Sequence, residues 1–370
     1  MLLRARKDLS FVTRGPVTLP RPALATANST FNGIYLRPNS KNDGSVPSRA
    51  PYSTSPDIWP AGTTPIASYQ TTLATAASYA SSSSSNIYSG QSNIIYVRGR
   101  NGATANKTVN VTLYWAFSGV INSPSQWQNN VIKSDANQSQ GTISSLTPNA
   151  IGVCDATFLW MGPPRPKGSN HYCLFAQFND ANNSNPFPDV ATPLRMSALI
   201  QNNLGWGWRN MSTIKAEATW QESEPLTIPS NYPSTEAYSI CIEPVGFVGW
   251  QAEFYASRTD SRGNPIRLNK TPVTLDKQLL GVSQVILEPG FNCEMTVNMY
   301  APSSKMKLVP GATVVMSCNY IAPQSQLTEA IALGLVDWRF MAQLRKSLPE
   351  LGVTPTAWTP QGSYSWTVPT

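Results

Sequence analysis

The chain has 370 residues, of which 41% are hydrophobic and only 13% are charged. Its length accommodates two domains of ordinary size, and its composition requires a surface made mainly of uncharged polar residues. No run of about 18 apolar residues occurs, so we expect no membrane-spanning helix. The 31 Pro and 23 Gly separate short apolar runs, which favours short strands and turns over long helices.

Most of the net charge of +7 lies near the N-terminus. Residues 1–50 contain eight basic and two acidic residues, a net charge of +6. Residues 1–55 show no helical period and many prolines, so we predict an extended basic arm that packs along its own domains or along neighbouring subunits. The arm also offers contacts to nucleic acid or to an acidic partner, through Arg4, Arg6, Lys7, Arg14 and Arg21. The first residues lack an apolar signal core, so we expect no cleaved signal peptide.

Strand patterns begin after the arm. Val109, Val111 and Leu113 alternate with polar residues, and Asn101-Gly102 marks a turn before them. After Pro225 a second set of short, turn-bounded runs follows, in which Met295 alternates with its neighbours through to Met299. Short strands at such spacing predict a mostly β chain with two antiparallel immunoglobulin-like β-sandwich domains, over residues 56–215 and 216–322.

A resemblance to a known family covers about residues 55–210. The matching segments are Ser55-Pro56-Asp57-Ile58, residues 93–102, Val109–Trp115, His171–Ala176 and residues 202–210. In order and spacing these segments resemble the CARDB-like, immunoglobulin-type β-sandwich modules of bacterial surface and secreted proteins. The resemblance implies a folded spacer or adhesion module with no catalytic residues and leaves the ligand open.

The C-terminal part predicts one amphipathic helix and a tail. Within residues 323–352, apolar residues recur at steps of three and four from Leu327 to Leu348 and include Trp338. Ser325 is a candidate N-cap. Residues 353–370 predict an extended tail whose aromatic residues, among them Trp358 and Trp366, dock onto another surface.

The chain offers few residues for catalysis or metal binding. His171 is the single histidine, and the five cysteines contain no C-x-x-C pair, so we expect no enzyme activity, no metal and no cofactor. A Cys154–Cys173 bridge stays open at this stage. Trp206, Trp208 and Arg209 either stack on a sugar or base or fill a sandwich end or domain junction.

These observations predict a non-enzymatic structural subunit of a phage virion, as a capsid decoration, tail or fibre component, or of a related injection machine. Its extended termini would lock it to other protein subunits, and we expect a homo-oligomer within a virion or another extracellular assembly. The alternative is a secreted or cell-surface adhesion module that binds glycan or protein. The resemblance and the tryptophans favour this alternative, and the missing signal peptide opposes it.

Overall fold

The protein is described by a computed structural model that covers residues 17–18, 29–83, 85, 87–88, 90–162, 172–180, 185–187, 190–211, 219–303, 306, 309–335 and 357–368. Val17 and Thr18 are described by their backbone only. Seven residues singled out in the sequence lie outside these ranges: Arg4, Arg6, Lys7, Arg14, Arg21, His171 and Trp338.

The N-terminal part of the chain is built from thirteen short strands and three helices. The strands are β1 Val17–Thr18, β2 Ser29–Thr30, β3 Ile34–Tyr35, β4 Ser45–Val46, β5 Ile58–Gly62, β6 Ser92–Asn101, β7 Lys107–Phe117, β8 Val131–Ile132, β9 Gly141–Leu146, β10 Ile151–Val153, β11 Phe158–Met161, β12 Tyr172–Asp180 and β13 Trp206–Asn210. The helices are α1 Tyr69–Thr72, α2 Ala76–Tyr79 and α3 Pro193–Asn202.

Strands β3 and β5 to β13 form the first sandwich, which has immunoglobulin-type strand order, whereas β2 pairs with β4 and β1 joins a sheet of the second sandwich. In one sheet β6 lies between the β3 and β5 segments and the β10 and β11 segments. In the other sheet the order is β13-β12-β7, and β7 also pairs with β8 and β9. Counted along this sandwich, β6 is the second strand and pairs with the first (β3 and β5) and with the fifth (β10 and β11). The sixth strand, β12, lies between the third, β7, and the seventh, β13.

The sheet around β12 is buried on both faces. Leu174 and Ala176 point into the core between the two sheets, and Phe175 belongs to a separate cluster on the outer face. Helix α3 and the second sandwich contribute to that outer cluster. Double-sided burial explains why the β12 sequence is a nearly continuous apolar run rather than an alternating one.

The second sandwich contains eight strands and follows a different order. The strands are β14 Thr219–Thr227, β15 Glu236–Val245, β16 Gln251–Thr259, β17 Pro265–Pro272, β18 Leu280–Leu287, β19 Asn292–Tyr300, β20 Thr313–Ala322 and β21 Ala357–Thr367. One sheet has the order β18-β15-β20-β21 and the other β14-β19-β16-β17, all antiparallel. In an immunoglobulin sandwich the first strand pairs with the second and the seventh pairs with the sixth. Here the first strand, β14, pairs with the sixth, β19, and the seventh, β20, pairs with the second, β15.

The predicted C-terminal helix, residues 323–352, lies outside the described ranges from residue 336 onward, and its described start forms a short helix. Helix α4 spans Leu327–Ala332, and Gly334 follows in the left-handed region with φ +68°, a common way for a helix to end. Gln326, not Ser325, occupies the N-cap position. None of the helices in the described ranges is long and apolar enough to cross a bilayer.

Residues 29–55 and 357–367 pack into the fold, contrary to the predicted extended arm and tail. Residues 357–367 form β21, which is nearly completely buried. In the predicted arm, Ile34 pairs with Asn101 of β6, and Ile34 and Leu36 are 2% and 0% exposed. The Leu36 N–H donates to the Leu204 carbonyl oxygen at 2.8 Å. Residues 29–55 are therefore part of the first sandwich rather than an arm.

Candidate functional site

The outer edge of the β15 sheet is where the earliest described residues meet the folded body. Val17 and Thr18 pair antiparallel with Gly281 and Leu280 at the start of β18. On its other side β18 pairs with β15 from Leu287 to Leu280. Beyond the two pairs with β1, the outer edge of β18 has no strand partner among the residues that the structure describes.

A bulge limits this edge to a short stretch. The register between β15 and β18 shifts between Tyr238 and Ile240, and Gln284 adopts φ +62°. At the far end the Ser261 N–H donates to the Ile286 carbonyl oxygen at 2.8 Å, which covers the edge there. Bulges and covering loops protect an edge strand against further pairing. The edge that can accept a strand is therefore the stretch before Gln284, where β1 lies.

The tryptophans of β13 belong to the junction between the two sandwiches. Trp206 and Trp208 are only 2% and 7% exposed. Trp206 packs against Trp127, which in turn stacks on Phe175 with ring centres 4.4 Å apart. The expectation that these two rings face a sugar, a base or a partner is wrong for this fold, and the domain-junction interpretation fits their burial.

Arg209 belongs to a buried group of three arginines around one aspartate. Asp57 is 0% exposed and binds Arg37 through two guanidinium nitrogens, the shorter contact being 2.6 Å. The Arg98 Nε donates to the same carboxylate at 3.3 Å, and Arg209 donates to the Ser55 and Ser83 carbonyl oxygens. Burial and the nearby Arg98 charge lower the pKa of Arg209 to about 10, so it stays charged at neutral pH.

Arg98 fixes the segment that carries α1 and α2 over the outer face of its sheet. Its guanidinium donates to the Leu73 carbonyl oxygen at 3.3 Å, to the Ser78 hydroxyl at 2.9 Å and to the Ser81 carbonyl oxygen at 2.8 Å. The ring of Tyr79 lies over the neighbouring Arg37 guanidinium at 3.4 Å. The cluster therefore holds three chain segments together and leaves Arg209 committed to internal bonds.

The junction between the sandwiches contains a second buried charge site. Glu224 of β14 is 0% exposed and accepts a hydrogen bond from Ser118 of the first sandwich at 2.7 Å. The Val120 N–H donates to the Pro225 carbonyl oxygen beside it at 2.9 Å. Burial, together with the nearby carboxyl groups, raises the pKa of Glu224 to about 8.

Strand β21 supplies the other half of the junction. The Gln361 side chain donates to the Pro193 carbonyl oxygen at 2.7 Å and to the Ser197 hydroxyl at 2.8 Å, both on α3. Trp366 is 0% exposed and packs against Trp220, so the predicted docking role is wrong for it. Trp358 remains half-buried and is the predicted tail residue with an accessible ring.

The chemistry-bearing side chains form no metal-binding group in the described part of the chain. All five cysteines are buried free thiols, so Cys154 and Cys173 are not bridged. Burial raises the pKa of each of these thiols, to about 12 for Cys154.

The two buried charge sites were not predicted from the sequence. A signal existed for the first, because Asp57 is the sole acidic residue between Asp43 and Asp135, and Arg98 interrupts an apolar run of β6. A charged residue inside such a run needs an internal partner. Glu224 gave no comparable signal, because Glu222 lies two residues before it in the same polar segment.

No model of a known protein family matches the sequence, and no curated protein matches it. Solved structures with low similarity to the chain include the following three. A two-domain protein of unknown function from Bacteroides fragilis is 8% identical, covers 56% of this chain and 87% of its own, and has a TM-score of 0.18. The isomalto-dextranase of Arthrobacter globiformis T6, complexed with panose, is 11% identical. The match covers 59% of this chain and 33% of the isomalto-dextranase, with a TM-score of 0.16. A tip adhesin from Pseudomonas aeruginosa is 6% identical. The match covers 63% of this chain and 87% of the adhesin, with a TM-score of 0.14. Likenesses of this degree support no inference about the chain.

Proposed function

We propose that this chain is a non-enzymatic structural subunit that joins a larger assembly, of the kind that builds a phage particle or a related injection machine. The observation that carries the proposal is the pairing of Val17–Thr18 with the edge strand β18. Strand addition satisfies backbone groups of both partners and needs little side-chain specificity. The same pairing made with a neighbouring copy would connect two subunits.

The folded body supports this role because it is one continuous unit. A single hydrophobic cluster runs from α3 and the outer face of the first sandwich into the core of the second. Its junction is hydrogen-bonded through Ser118, Gln361 and Asn210, whose side chain donates to the Ser365 carbonyl oxygen at 2.9 Å. A subunit that bears load in an assembly benefits from such a shared core.

The basic residues that precede Ser29 give the arm a second candidate partner. We propose contact with nucleic acid through the arginines and the lysine of this segment, because cationic side chains bind phosphate without sequence readout. Arg37 is excluded from that role, because Asp57 binds its guanidinium inside the fold. An electrophoretic shift with DNA that weakens with salt and disappears when residues 1–28 are removed would support this contact.

The oligomeric state of the full chain tests the assembly role. We expect light scattering after size exclusion to show oligomers that grow with concentration. Val17→Pro should shift them towards the monomer, because proline has no N–H to donate in a strand pairing. Thr26→Pro, outside the paired residues, serves as the matched control. A full chain that stays monomeric at every concentration, or oligomers that Val17→Pro leaves intact, would contradict strand addition between copies.

The adhesion module stays the alternative function, and the resemblance to CARDB-like modules stays a prediction. The observation that favours this alternative is an open cleft on the first sandwich, whose lining includes four asparagine residues.

A further inference from the structure

The first sandwich carries a cleft of about 320 Å³. One wall is the segment from Phe31 to Ile34, and the other is formed by the end of β12 and the connection from α3 to β13. Sites for small ligands begin at about 300 Å³. The lining is rich in amide groups: Asn32, Asn185, Asn202 and Asn203.

Two of these amides are held in fixed orientations. The Asn185 Oδ1 accepts from the Asn203 Nδ2 at 2.8 Å and from the Trp206 Nε1 at 3.1 Å. The Asn185 Nδ2 donates to the Phe178 carbonyl oxygen at 3.1 Å, and the Asn203 Oδ1 accepts from the Gly205 N–H at 3.1 Å. Among the described residues each amide uses one of its two N–H groups in this network, which leaves the other for a ligand. Because the network fixes the donors in advance, a ligand would lose little entropy in ordering them.

The opposite wall offers a ring and an amide that are open to solvent. Phe31 is half-buried and Asn32 is exposed. The Asn32 side chain makes no hydrogen bond to any residue in the described ranges. The backbone N–H of Phe31 donates to the Gly44 carbonyl oxygen at 2.9 Å, which anchors this wall.

The cleft carries little net charge. Among the described lining residues the carboxylate is that of Asp180, which forms an ion pair with Lys107 at 3.3 Å. A strongly charged ligand would therefore find no uncompensated charge of opposite sign in the lining. Amide groups, in contrast, offer a donor and an acceptor side by side, which matches the paired hydroxyl groups of a sugar ring.

We propose that this cleft binds a neutral saccharide, with the amides of Asn32 and Asn203 hydrogen-bonded to hydroxyl groups and the Phe31 ring against an apolar sugar face. Site geometry of this type combines an apolar surface with a few well-placed polar groups. The site is separate from the β18 edge, so it does not depend on the assembly role.

Ligand-observed NMR of the full chain with D-glucose, D-galactose and N-acetyl-D-glucosamine tests the site. We expect saturable binding of at least one sugar with a Kd on the order of 1 mM. Asn32→Ala and Phe31→Ala should each weaken it by about tenfold or more. Asn269→Ala removes an exposed amide from β17 and should leave binding unchanged.

Asn32 is exposed, so its substitution keeps the fold and separates lost binding from lost structure. Absence of saturable binding of all three sugars up to about 50 mM would overturn the proposal. Binding that both cleft variants leave unchanged would overturn it as well, because the sugar would then lie elsewhere.

Discussion

Glu224→Gln should remove a large part of the pH dependence of stability. Glu224 is fully buried at the junction, and burial raises its pKa from 4.5 to about 8. In the unfolded chain the carboxyl ionises near its ordinary value, while in the folded chain it stays protonated up to about pH 8. Folding therefore loses stability as the pH rises from about 4.5 to about 8, and the loss is complete above that value.

The size of this effect follows from the difference between the two pKa values. At about 1.4 kcal/mol per pH unit, the native chain should lose on the order of 5 kcal/mol across that window from this group. Glutamine has the same shape, accepts the Ser118 hydrogen bond at its Oε1 and does not titrate. The difference in unfolding free energy between the native chain and Glu224→Gln should therefore change by that amount across the window.

Urea denaturation followed by tryptophan fluorescence, at a series of pH values from about 4 to about 9, measures this difference. Taking the difference between the two chains cancels the other titrating groups. Glu222→Gln removes the same charge from a half-buried position on the same strand and should keep most of the pH dependence of the native chain, because burial, rather than the Glu222 charge, is the largest cause of the raised pKa of Glu224. A difference between the native chain and Glu224→Gln that stays constant with pH would refute the reasoning.

Three further predictions concern the buried interior. Asp57→Asn should lower the unfolding free energy, measured by urea denaturation, by about 3–5 kcal/mol, because Arg37 and Arg98 would stay buried without their carboxylate. An unchanged urea midpoint would show that water solvates these arginines. Gly362→Ala should lower the melting temperature, since a Cβ there would overlap the Val120 carbonyl oxygen across the junction; calorimetry checks this, and an unchanged melting temperature would mean that the sandwiches separate easily. The native chain should react slowly with a thiol reagent at about pH 8 and expose five thiols after denaturation, because every cysteine is buried; rapid labelling of the native chain would contradict that burial.

Strands with alternating apolar and polar residues were the part of the fold that the sequence predicted well. Residues 109–115 and 295–299 alternate strictly, and both lie in strands, β7 and β19. Alternation arises because one strand face meets a core and the other meets solvent or polar groups. The β-sandwich class follows from several such segments, and the structure confirms it.

Elements that are buried on all sides gave no such pattern. Helix α3 begins at Pro193 after the N-cap Thr192, yet most of its positions are buried, so it shows no polar stripe. Strand β21 is similar, with Pro360 and Gly362 inside a run that is buried at nearly every position. Pattern analysis depends on contrast between faces, and these elements have none.

The candidate sites were harder to predict than the fold because they depend on long-range contacts. Arg209 and Ser55 are 154 positions apart, and Ser118 and Glu224 are 106 apart. Nothing local to either partner specifies such a contact. The sequence showed Trp206 and Trp208 as candidates for a surface, but Trp127 from a distant loop packs against Trp206, and Phe175 packs against Trp208.

Of the two terminal segments, β21 and Val17–Thr18, the second is the better candidate for contacts between copies. An aromatic tail would have offered a docking segment, but β21 already pairs with β20 from Thr313 to Ala322 and packs on α3. Its release would break the junction core, so it is a poor candidate for exchange between copies. Val17–Thr18, in contrast, makes only two residue pairs, at a free edge. Exchange of those pairs between neighbours would disturb few contacts of the body. A subunit of this design is therefore best joined through the residues that precede Ser29.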